Sequence, residues 1–189
     1  RAPEFAHDRN ASSTIPSEVE PYLIKVMRLA KKELPKHETQ LHEELDLFIA
    51  QEGAHYRQHN LFNRRIREYY PKLADFEAEL RRDLDGYLAN RSLKFNIAYS
   101  EGFETMGPPA AEMWFEHSDF CHRLLHALYA RSPWTRITNG WLYRVYGVWT
   151  AATHLGGYTA RVRAYLLETD HASMDAAAVA ASHRRLRSL

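Results

Sequence analysis

Apolar residues return along most of this chain at alternating intervals of four and three, the spacing of a helix face packed inside a bundle. The clearest run lies in residues 36–70, where Leu41, Leu45, Phe48, Glu52, His55, His59, Phe62 and Ile66 fall on one line. It predicts a long helix stopped by Pro71, apolar at both ends of its inward face and polar in the middle. Sliding the register by one residue would bury Glu44 or Tyr56 and expose Phe48 and Phe62, so the line as written is expected to face the core.

Proline, glycine and small polar residues divide the rest. Residues 1–17 read as an irregular lead-in, and 18–189 as a single helical metal-binding domain. Pro21 suits the first turn of a helix that ends before Pro35. Leu73, Phe76, Leu80, Leu84 and Tyr87 mark a third helix, and Asn90 is a candidate cap for a fourth. That fourth helix turns Leu93, Ile97, Glu101 and Glu104 inward and reaches Met106 before Gly107-Pro108-Pro109. Helices are predicted over 110–131 and 134–168, the latter with Trp141, Val145, Val148, Ala152 and Leu155 inward, and a separate Ala-rich helix over 174–186. Gly147, Gly156 and Gly157 are poor helix formers in an interior, which points to a close crossing or a kink. No segment alternates with period two. The predicted fold is all-α: a ferritin-like helical bundle with one or two additional helices.

Composition adds limits. The 189 residues are 45% hydrophobic and 26% charged, as in ordinary globular domains, with a net charge of +1. A chain so balanced has no electrostatic footprint for nucleic acid; the basic cluster at His183-Arg184-Arg185 reads as a solvated helix end. No apolar run approaches the roughly 20 residues of a membrane span. One cysteine, Cys121, allows no internal disulfide and fits a reducing compartment. With no basic-then-apolar opening segment, a cytoplasmic location is expected.

The chemistry lies in the polar stretches of the seams. Glu52 is followed by His55 and His59, and Asp119 by His122 and His126, so two separate helices carry a carboxylate with histidines three and seven residues on. A carboxylate and a histidine three apart stand one turn apart on one face, able to address the same ion from a rigid rod. In the 110–131 helix the expected seam is Phe115, Asp119, His122, His126 and Tyr129. Carboxylate-bridged di-metal bundles take one Glu from each of two further helices. Glu101 is the natural choice from one; from the other, Glu20 serves either as a ligand or as an acid at a helix start. Glu20, Glu52, Glu101 and Asp119 bring four negative charges, which two divalent ions neutralise; no cation is in sight to do so otherwise. Glu52 and Asp119 are the expected catalytic ligands. Glu104 is a surplus acid that replaces Glu20 or supports the ligands, and His59 and His126 either bind metal or hold a ligand in place. Cys121 is expected to face away from the seam and to serve packing. Tyr143, Tyr146 and Trp149, with Trp141, are expected in the core or around an apolar pocket.

Phe48-Ile49-Ala50-Gln51-Glu52-Gly53-Ala54-His55, continuing to His59 and Phe62-Asn63, resembles the bacterial family called predicted metal-dependent hydrolases. Members of that family carry Phe-Ile-x-Gln-Glu-x-x-His-x-x-x-His-x-x-Phe-Asn. Glu20-Pro21-Tyr22-Leu23-Ile24 with Arg28, Tyr99-Ser100-Glu101, and Trp114 with Asp119 and His122 fall where the family has related stretches, so the resemblance spans roughly residues 18–165. It departs at Asp119, a Glu in the family, at Ser118 and Cys121, which stand for acids, and at Phe115, which stands for His. The resemblance implies a metal-dependent hydrolase.

Inward Glu-x-x-His pairs suit oxygen-activating di-iron centres more closely, so the expected function is a di-iron oxidase or oxygenase acting on a small or apolar substrate. Hydrolysis is the alternative, and a non-enzymatic metal-binding or interaction protein a further one. The expected cofactor is two divalent ions, iron first, with zinc or manganese also accepted by such donors. The expected partners are a small-molecule substrate and, at most, a second copy in a homodimer.

Overall fold

A computed structural model describes residues 3–106, 112–129 and 132–186, with side chains among them at 7–106, 120–129, 132, 134 and 142–170. The described residues form the predicted all-α bundle: α1 (Pro3–Ser13), α2 (Pro16–Glu33), α3 (Thr39–Tyr69), α4 (Leu73–Asn90), α5 (Leu93–Thr105), α6 (Glu112–Tyr129) and α7 (Pro133–Leu186). None of these helices is long and apolar enough to cross a membrane.

Several helix boundaries shift from expectation. The lead-in is helical: α1 covers Pro3–Ser13, and its Ala11 is fully buried. Pro16 opens α2 in the position where a missing N–H costs nothing, which leaves Pro21 inside the helix. Ser92, not Asn90, caps α5, its hydroxyl accepting a hydrogen bond from the Phe95 N–H; Asn90 is the last residue of α4. The Ala-rich segment is a continuation of α7 rather than a separate helix.

α5 is the central element, with every residue from Asn96 to Glu104 buried. It packs most extensively on α7 and next on α6, while α2 packs chiefly on α3. The α5–α7 crossing is close because two glycines meet there. A Cβ on Gly102 would lie 2.2 Å from the Gly147 carbonyl oxygen, and one on Gly147 would lie 1.9 Å from that of Ala98. Gly156 and Gly157 face open space and play no such part.

The seams are rotated in places. On α3, Leu41, Leu45, Phe48, Glu52 and Ile66 are buried as expected, but Phe62 is half exposed and Asn63 is buried in its stead. Asn63 accepts from the Ser13 hydroxyl at 3.0 Å and donates to the Ser13 carbonyl, Ser17 Oγ and Glu77 Oε1, so one amide joins α1, α2, α3 and α4. On α7 the inward residues are Gly147, Ala151, Leu155, Tyr158, Val162 and Leu166; Val145, Ala152, Tyr146 and Trp149 are exposed, against expectation, and Tyr143 is only partly buried. The side chains of Phe115, Asp119 and Trp141 lie outside the described residues.

Gly147→Ala is expected to destabilise the protein by about 1–3 kcal/mol or more, since an over-packed helix contact must separate. Gly156→Ala, in open space, should instead be neutral or stabilising by up to about 1 kcal/mol. Urea unfolding monitored by circular dichroism compares the two.

Candidate metal centre

Near the middle of the bundle, helices α2, α3 and α5 each turn acids inward at one level. Glu20, Glu52, Glu101 and Glu104 are at most 4% exposed. Glu20 lies inside α2 and is buried, so it does not act as a helix-start acid. Glu20, Glu52 and His55 offer ligand atoms that all lie within 4.8 Å of one another, close enough to share one ion. His55 Nδ1 is 3.8 Å from Glu52 Oε1, and His59 Nε2 is 3.9 Å from Glu20 Oε1. Both imidazoles are more open than the seam predicted, with side chains 40% and 36% exposed, so they form the solvent side of an otherwise closed cluster.

The electrostatics are those of crowded acids. Burial, then the neighbouring Glu52 and Glu104 charges, push the Glu20 carboxyl up to about 9. Its Oε2 is buried without a hydrogen-bond partner. Desolvation, then the neighbouring His55, lowers His59 below the usual imidazole value. A buried acid with an unsatisfied oxygen, a second acid beside it and imidazoles at the rim together form a donor set that fits a divalent cation.

Glu101 is fully buried one step away, on α5. It receives two basic groups: His122 of α6, with Nδ1 at 3.2 Å from Oε1, and Arg144 of α7, with Nε at 3.3 Å from the same oxygen. Sequence reasoning missed Arg144. It found no cation for the buried acids because Arg144 lies far along the chain, at the flank of the expected α7 seam, where a charged residue reads as solvent-facing. The α6 face is also turned from its predicted line. Phe120, Cys121, Leu124 and Leu125 are buried, while His122 and His126 sit half-buried at its flank, their rings 4.5 Å apart. Cys121 faces the acids rather than away from them: it is fully buried, and burial together with Glu104, Glu101 and Glu52 pushes its thiol well above the usual range. A thiol so held is a poor nucleophile and a poor thiolate ligand.

Aromatic and amide contacts fix the frame one turn away. The Tyr22 hydroxyl donates to Asn96 Oδ1 at 2.7 Å, and the Tyr22 and Tyr99 rings meet edge to face at 5.6 Å, tying α2 to α5. Phe48 of α3 stacks on Phe120 of α6 at 5.5 Å. A cavity of about 300 Å³ opens between α2, α3 and α4, lined by Ser17, Pro21, Tyr22, Tyr56 and Arg81 among others. Pro21 and Tyr56 follow Glu20 and His55 directly in the chain.

The folded chain holds the Glu20 proton up to about pH 9, whereas the unfolded chain releases it near 4.5. Between those values the unfolded state binds fewer protons, so the stability of the metal-free protein should fall as pH rises, by at most about 1.4 kcal/mol per pH unit for this one group. Melting temperatures of the chelated protein from pH 5 to 9 measure the fall, and Glu20→Gln should flatten it.

Compared with known families, residues 1–131 match the family described as predicted metal-dependent hydrolase, from α1 to the end of α6. No curated protein matches the chain, and no solved structure does.

Proposed function

Because the chain belongs to the family of predicted metal-dependent hydrolases, we propose that it is a hydrolase whose metal is held by Glu20, Glu52 and His55. The observation that carries this reading is the convergence of their ligand atoms within 4.8 Å beneath a solvent-facing histidine. Three protein ligands with room beyond them are the pattern of catalytic metal sites, whereas structural sites close all positions with protein groups. An ion held there would supply Lewis acidity, of the kind that lowers the pKa of water and polarises a carbonyl or phosphoryl oxygen.

The protein groups do the remaining work. The buried walls of α2 and α5 keep bulk water from the inner side of the acids, which strengthens every charge interaction there. His59, one turn beyond His55 and 3.9 Å from Glu20, stands where it can take a proton or orient the Glu20 carboxylate.

Hydrolysis is better supported than the oxygen chemistry that the Glu-x-x-His pattern favoured. The family description names it, and carboxylate and imidazole donors accept zinc or manganese as well as iron, with affinity alone favouring zinc over iron.

The test is parallel loading of the apoprotein with Zn(II), Mn(II) and Fe(II), followed by assays on nitrophenyl ester and phosphate panels and by oxygen electrode. The expected result is metal-dependent cleavage by the zinc or manganese form, with dissolved oxygen untouched. An iron form that consumes oxygen, beside zinc and manganese forms that cleave nothing, would reverse the assignment. Glu52→Ala should lose both metal and activity, and His59→Ala should keep the metal but slow turnover by about 10²–10⁴-fold, the range for a lost proton-transfer group.

A further inference from the structure

Resting on the metal reading above, we infer that the centre holds a single ion and that the guanidinium of Arg144 occupies the place of a second. Among the described residues, the tight group of possible metal ligands contains Glu20, Glu52 and His55 and leaves Glu101 out. Glu101 is fully buried, where an ionised carboxylate must be met by a positive group. In a two-ion centre of this type, the acid from the central helix and the histidine from the next helix would face the second ion. Here those two groups, Glu101 and His122, already lie 3.2 Å apart, and Arg144 Nε reaches the same Glu101 oxygen at 3.3 Å.

A guanidinium keeps its charge in proteins and is more weakly hydrated than an ammonium, so it suits a buried carboxylate. It also repels a divalent ion brought to the same oxygen. Arg144 is delivered by the α5–α7 crossing: it precedes Gly147 by one turn, and Glu101 precedes Gly102 directly, so the two glycines that let the backbones touch bring the pair together. Arg144 lies beyond residues 1–131, where the family match ends, so this cation comes from a part of the chain outside the shared region.

Arg144 is thus a positioning residue that fixes the metal count, and metal stoichiometry tests it independently of any activity. Purified protein is stripped, titrated with Mn(II), and read by elemental analysis and electron paramagnetic resonance. Wild type is expected to bind one ion per chain with the six-line signal of an isolated Mn(II). Arg144→Gln should raise the count from one to two and give the broadened multiline signal of a coupled pair, while Arg144→Lys, keeping the charge, should stay at one. Two ions on the wild type, or one ion on a folded Arg144→Gln variant, would overturn the inference. Wild type that binds none would overturn the metal reading itself, so the two failures are distinguishable.

Discussion

Four carboxylates buried side by side in a helical core are the constraint around which this protein is arranged. Glu20, Glu52, Glu101 and Glu104 come from three helices and are nearly or wholly closed to solvent. A single ionised carboxylate in such surroundings costs several kcal/mol unless it is paired or protonated. The structure shows partial remedies for this cost. A proton stays on Glu20 far above the ordinary carboxylate range, His122 and Arg144 converge on Glu101, and imidazoles stand by Glu52 and Glu20. A divalent ion at Glu20, Glu52 and His55 would replace the least favourable of these, the held proton, and the centre would then be stable at neutral pH.

The scaffold explains how the groups reach one another. Helices usually pack 8–10 Å apart, but the Gly102–Gly147 contact lets the α5 and α7 backbones approach until an added methyl has no room. That approach allows a side chain on α7, itself partly open to water, to reach an acid on α5 that is not. On the other side, Asn63 and the Tyr22–Asn96 bond lock α1, α2, α3, α4 and α5 in register through amide and hydroxyl hydrogen bonds, none of which involves the four acids of the centre.

Much of this was legible in the chain. The α3 seam as far as Glu52, the inward Glu101 and Glu104 of α5, and the tight crossing at Gly147 follow from apolar spacing and from glycine in a helix interior. The errors have physical causes. A four-and-three pattern assumes 3.5 residues per turn, whereas a straight helix turns every 3.6 and drifts about 20° per heptad. Along the 31 residues of α3 the drift carries Phe62 outward and Asn63 inward. A buried amide is invisible to a rule that seeks apolar residues. On α6 the two histidines drew the predicted line through themselves, although the apolar Phe120, Leu124 and Leu125 set the true face and bring Cys121 with them. Arg144 left no local mark: its role exists only because two distant helices touch. Pro21 misled in the opposite way, because Pro16 already supplied the helix start.

The central claim is that Glu20, Glu52 and His55 share an ion, and locating that ion tests it most directly. Crystals of the manganese- or zinc-loaded protein, measured at the absorption edge of the metal, give its position from anomalous scattering alone. The expected result is one strong peak with a Glu20 oxygen, a Glu52 oxygen and a His55 nitrogen each at about 2.0–2.2 Å. A peak elsewhere, or loaded crystals whose anomalous map is empty between these three residues, would contradict it.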